Sequence, residues 1–121
     1  MEALSIQPIL RIFDEAKAKE FYLNWLGFTL DFEHRFEPDT PIYMGISMGN
    51  AQIHLSEHYG DGTPHSMINI YCKGLRGYHN NLKPYKYYRP LIAKYQWIDG
   101  YIGMQVYDPF KNVITFLEHA E

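Results

Sequence analysis

Gly100-Tyr-Ile-Gly-Met-Gln-Val-Tyr-Asp-Pro-Phe-Lys-Asn-Val-Ile-Thr-Phe-Leu-Glu118 reads as strand, tight turn, strand. Ile102, Met104 and Val106 alternate with Gly103, Gln105 and Tyr107, the period of a half-buried strand. Asp108-Pro109 opens a turn, because proline pre-sets φ at the first corner and aspartate can bond its own backbone. Lys111-Asn112 closes it, and Val113 to Leu117 is β-branched and aromatic, as a strand favours. The same design stands earlier, in Tyr43 to Asn50 followed by Ala51 to Glu57. Tyr43-x-Gly45 and Tyr101-x-Gly103 match in phase, almost half the chain apart. The pattern predicts one module written twice, 1–58 and 65–121, within a single domain 1–121.

Composition narrows the function. With 121 residues the chain has the length of one domain, and 46% apolar residues suffice for a core. Aromatic residues make up 17%, with 11 tyrosines, too many rings for a small domain to bury, so some should line a cleft or an interface. A net charge of −3 without a basic run argues against nucleic acid and suits a cationic or neutral ligand. The one cysteine, Cys72, rules out a disulfide framework; alternating with Ile68 and Ile70, it reads as core. The N-terminus lacks the basic start and apolar run of a signal peptide, and no apolar stretch reaches a membrane span. A soluble, cytoplasmic protein with no membrane partner is expected.

Along the chain, Leu4 to Phe13 is read as a strand and Asp14 as an N-cap. Ala18, Phe21, Tyr22 and Trp25 form an amphipathic helix stripe, which should bury Trp25, and Gly27 stops the helix. Phe28 to Phe36 is a second strand, with Phe28, Leu30 and Phe32 on one face. The hairpin Ile42 to Glu57 completes a β-α-β-β-β unit, and Tyr59 to Pro64 is the linker. In the second half, Met67 to Cys72 is a strand, and Gly74 to Leu82 a short or irregular helix, weakened by Gly77 and Asn80-Asn81. Tyr85 to Tyr88 is read as a strand and Ile92 to Asp99 as a loop or strand edge carrying Trp97. The fold class is α+β, two β-α-β-β-β modules forming curved mixed sheets.

Ile9-Leu-Arg-Ile-Phe-Asp14, then Phe21-Tyr22 and Leu26-Gly-Phe28, with the Asp108-Pro109…Asn112 turn, resembles the vicinal oxygen chelate superfamily of glyoxalase I, extradiol dioxygenases and bleomycin resistance proteins. Cys72-Lys-Gly-Leu75 and Trp97 to Gly100 look most like the bleomycin resistance proteins, although Ile98-Asp99 adds two residues within the Trp-Gly step. The resemblance implies a homodimer with two interfacial crevices, each sequestering a drug without chemistry. Metal enzymes of the superfamily carry four ligands, mostly His and Glu, at positions that fall here near Gln7, His54, Met67 and Thr115. Only His54 is a strong ligand for a divalent ion, with Gln7 a weak oxygen donor, so no metal and no cofactor are assigned. His54 and His58 share a strand face but lie about 13 Å apart, too far for one ion without bending.

The aromatic residues carry the functional expectation. Bleomycin-type drugs combine flat bithiazole rings with a cationic tail, which a stacking slot with nearby carboxylates would suit. The candidate ligand-binding residues are Trp97, Phe36, His54, Phe32, Tyr71, Asn69 and Asp99, with Asp31, Glu33, Glu37 and Asp61 as further carboxylates. No catalytic residue is assigned. The alternative is a metal-dependent lyase or isomerase of the superfamily with an altered ligand set.

Overall fold

The computed structural model describes residues 1–86 and 88–120. It contains two four-stranded mixed sheets of identical design. In the first, β1 (Ile9–Arg11), β2 (Thr29–His34), β3 (Tyr43–Met48) and β4 (Ala51–Ser56) are ordered β1-β4-β3-β2. In the second, β5 (Met67–Tyr71), β6 (Ile92–Lys94), β7 (Tyr101–Tyr107) and β8 (Val113–His119) are ordered β5-β8-β7-β6. Within each sheet the first and last strands run parallel and the remaining pairs antiparallel. This is the α+β arrangement of paired β-α-β-β-β modules that the two hairpins predict.

Asp14 caps the first helix as its residue type suggests: its Oδ1 accepts from the Lys17 amide at 2.9 Å. Helix α1 (Glu15–Lys19) continues as a π-helical stretch, Glu20–Trp25, and stops before Gly27 at φ 89°. A π turn takes more residues than an α turn, so Trp25 moves out of phase with Ala18. Ala18, Phe21 and Tyr22 are buried as the stripe requires, whereas Trp25 is only half-buried. Its indole N–H donates to the Lys83 carbonyl at 2.6 Å, and its ring packs against Phe21, Tyr85 and Tyr88. Helix α2 (Leu75–Asn81) is short, as Gly77 and the two asparagines predict.

Three local expectations change. The first strand is confined to Ile9–Arg11, where the edge finds partners in His54 to Ser56. The segment Tyr85 to Tyr88 is not a sheet strand: the two tyrosines bond each other through both amides, around Lys86 at φ 54°. Its pairing groups are consumed locally, and Ile92–Lys94 supplies β6 instead. Tyr87 lies outside the described residues. On β2 the register shifts between Leu30 and Phe32, so Leu30 pairs Ile46 and Phe32 pairs its neighbour Gly45. This bulge turns Phe32 away from the face of Phe28 and Leu30.

One continuous apolar cluster joins both halves, with Ile12, Phe21, Ile46 and Leu55 from the first and Leu75, Met104, Ile114 and Phe116 from the second. Polar contacts cross the same seam. Tyr78 Oη donates to the Leu26 carbonyl at 2.5 Å, and Asn112 Nδ2 donates to that of Arg11 at 2.8 Å. Among the described residues no helix is long and apolar enough to cross a membrane.

Candidate functional site: an aromatic sheet face

Alternation along β3 and β4 sends Met44, Ile46, Ile53 and Leu55 into the core and leaves Tyr43, Gly45, Gln52 and His54 on the other face. Tyr43 and His54 meet there, with 2.6 Å between the phenol oxygen and Nδ1. Phe32, delivered by the bulge, lies edge to face with the imidazole at 5.2 Å and stacks on Tyr43 at 6.3 Å. Its ring occupies the space that a Cβ on residue 45 would fill, so glycine at that position admits it. The site is a partly open floor of three rings, with Phe32 43% exposed.

Its electrostatics follow from burial and nearby acids. Burial holds the His54 imidazole below its ordinary value, with the Asp31 carboxylate pulling the other way. Burial also raises the Tyr43 phenol, assisted by the negative charge of Asp61. Asp31 accepts from Ser47 Oγ at 3.0 Å and Asp61 from Ser56 Oγ at 2.9 Å, which fixes both carboxylates beside the rings. Phe36, 75% exposed, extends the aromatic surface through edge contacts with His34 at 4.9 Å and His58 at 5.8 Å. Phe32 and His54 are therefore in contact, and Phe36 belongs to an adjoining ring cluster.

The other predicted residues fall on the second module. Asn69 and Tyr71 line a cleft of about 600 Å³, where β5 faces the β3–β4 turn with Met48, Ala51 and Gln52. Tyr71 packs edge-on to Tyr101 at 5.8 Å, and Tyr101 to His119 at 5.1 Å. Trp97 and Asp99 stand on the turn between β6 and β7; Trp97 is 60% exposed and has no ring partner among the described residues. Sequence reasoning missed Tyr43, Tyr95 and Tyr101. Tyr95 covers Gly103 as Phe32 covers Gly45. The signal was present in the paired Tyr-x-Gly steps, whose glycines mark the two places where a ring lies flat on the sheet.

The four superfamily metal positions do not converge on a ligand set. Gln7 Nε2 donates to the Gln52 carbonyl at 2.8 Å, Met67 is exposed, and Thr115 is buried. Met67 pairs with Val113, whereas Thr115 pairs with Asn69. Among the described residues no group of three or more His, Cys, Asp or Glu side chains could hold a metal ion. Cys72 is half-buried, and burial raises its thiol above the ordinary range.

No curated protein sequence matches the chain. Solved structures do. A glyoxalase family protein from Bacillus anthracis superposes with a TM-score of 0.69 at 17% identity, covering 98% of each chain. An antibiotic-binding protein from a Streptomyces species gives 0.67 at 15% identity, over 99% of this chain and 100% of the other. The bleomycin-binding protein of Streptomyces verticillus, in complex with copper(II)-bleomycin, gives 0.65 at 22% identity, over 100% of this chain and 98% of its own. At these identities the likeness is one of fold. The profile described as glyoxalase superfamily protein matches residues 2–121, nearly every position discussed above, and the chain belongs to that superfamily.

Proposed function

We propose that this chain is a cytoplasmic, homodimeric small-molecule binding protein that sequesters a planar, cationic drug of the bleomycin type without chemistry. The observation that carries the reading is the floor formed by Phe32, Tyr43 and His54, open to solvent and flanked by Asp31 and Asp61. Ring faces stack on flat heterocycles and attract cations, and fixed carboxylates beside them favour a cationic tail. The fold is shared with a bleomycin-binding protein and an antibiotic-binding protein, which supports the ligand class. In this reading Trp97, Asp99, Asn69 and Tyr71 form the opposing wall, and a second copy of the chain brings that wall to the floor.

Calorimetric titration with metal-free bleomycin tests the reading. Saturable binding of one drug per chain is expected, weakened about tenfold or more by Phe32→Ala, as for an aromatic anchor. Absence of both heat and any change in tryptophan emission overturns it.

A further inference from the structure

Two hollows outside the aromatic floor share Lys17 and Pro109. The first, about 430 Å³, is walled by Tyr85, Tyr88 and Tyr107, with Lys17 and Lys86 at its margin. The second, about 410 Å³, adds Phe13, Phe110, His65 and Lys111. Rings and cations thus line two adjoining hollows, a groove beside the Asp108–Asn112 turn.

Three features distinguish this groove from ordinary solvated surface. Lys17, Lys86 and Lys111 form no ion pair among the described residues, although the whole chain carries a net charge of −3. The two carboxylates in the walls are already engaged: Asp14 caps α1, and Asp108 accepts four hydrogen bonds. Four non-glycine residues among those described have left-handed backbone, and three of them, His65, Lys86 and Lys111, line these hollows at φ 67°, 54° and 68°. Glycine would serve such positions at lower cost, and strain of this kind gathers where a side chain is required.

We propose that the groove is a second ligand site, for a flat anion: an aromatic ring bearing one carboxylate or phosphate. The ring lies against Tyr107 and beside Tyr85, whose own ring Lys86 Nζ overlies at 5.5 Å; Lys17 holds its charge, with Lys86 and Lys111 on either side. Stacking on tyrosine fixes the plane, and ammonium groups without a carboxylate partner among the described residues select the sign of charge. The preference is opposite to that of the acidic floor, so one protein offers separate places to a cation and to an anion.

The test uses the full chain with 2-naphthoate as probe and 2-naphthylmethanol as its uncharged counterpart, followed by fluorescence anisotropy at low salt. Naphthoate is expected to bind saturably and the alcohol more weakly. Lys86→Gln and Lys111→Gly should each weaken naphthoate about threefold, the scale of an exposed charge contact. Lys111→Gly should also raise Tm, since glycine suits the left-handed backbone, so its lost binding cannot be ascribed to unfolding. Phe32→Ala should leave naphthoate binding unchanged, which separates this site from the bleomycin floor whatever that floor binds. Equal binding of acid and alcohol, retained affinity in both lysine variants, or loss of naphthoate binding in Phe32→Ala would overturn the proposal.

Discussion

The phenol of Tyr22 donates a 2.7 Å hydrogen bond to Asp108 Oδ2, and both side chains are buried. Tyr22 belongs to the first module and Asp108 to the turn of the second. The same carboxylate accepts from the Phe110 and Asn112 amides, each at 2.8 Å, and from Asn112 Nδ2 at 2.9 Å. One turn therefore shapes its own hairpin and locks it to the opposite half. Tyr22→Phe should cost about 1–2 kcal/mol, because it deprives a buried acceptor of a partner. We expect urea denaturation to show a lower midpoint but still one transition. Two separate transitions in the native chain would show that the modules unfold independently and do not form a single domain.

The two tryptophans should respond differently to drug. Trp25 is tied to Lys83 and ringed by Phe21, Tyr85 and Tyr88, whereas Trp97 is 60% exposed. Bleomycin should quench emission in Trp25→Phe and have little effect in Trp97→Phe. Trp97→Ala should leave Tm nearly unchanged, and Trp25→Phe should lower it by removing the bond to Lys83. Unchanged quenching in Trp97→Phe would remove Trp97 from the proposed wall.

Acidification should weaken the floor. Burial sets the His54 pKa in the folded chain below its ordinary 6.5, so folding favours the neutral ring. The resulting stability is complete above the ordinary value and is lost as pH falls through the depressed one. Protonation also places a cation where the cationic drug should sit. Bleomycin affinity should therefore fall on the acid side of that pKa, and His54→Gln should abolish much of this dependence. An identical pH profile in wild type and His54→Gln would exclude the imidazole as its source.

Gly45→Ala and Gly103→Ala should differ. The three heavy atoms nearest a methyl at residue 45 all belong to the Phe32 ring, which is partly exposed and can swing outward. A methyl at residue 103 meets Tyr95 and also the buried Leu117. Gly103→Ala should cost about 1–3 kcal/mol as an overpacking change, and Gly45→Ala distinctly less. Gly45→Ala should nevertheless weaken drug binding by displacing Phe32. Equal unfolding midpoints for the two variants would contradict this account.

Light scattering should give a particle of about twice the 14.3 kDa chain mass at micromolar concentration. Leu4, Ile6, Met67 and Tyr71 are exposed by 85%, 91%, 63% and 59%, a large apolar surface for a chain of this size. A monomer at those concentrations would refute the dimer and leave the floor without its second wall.

Both hairpins, the Asp14 cap and the weak second helix were legible because each depends on neighbours in sequence. What was not legible turns on contacts made at a distance. Nothing in Leu30-Asp31-Phe32 announces a bulge; it appears when β2 meets β3, and it decides which face receives Phe32. Tyr85 to Tyr88 has strand propensity, yet Lys86 bends the segment until its amides bond within it. The site was therefore identified by residue type more readily than by grouping: Phe32 and His54 touch, while Trp97 and Asp99 stand on a separate turn.

The second helix has no cap of its own. The amides of Gly74 and Leu75 donate to the two Glu118 carboxylate oxygens, at 2.7 and 3.0 Å, from strand β8. Helix α1 is capped by Asp14, three residues from the amide it receives. A helix capped locally can begin to form before its sheet exists, whereas α2 gains its cap only after residues 43 positions apart have been brought together. The two modules share one topology but not one order of assembly: the first can nucleate from its N-terminus, and the second must wait for its last strand.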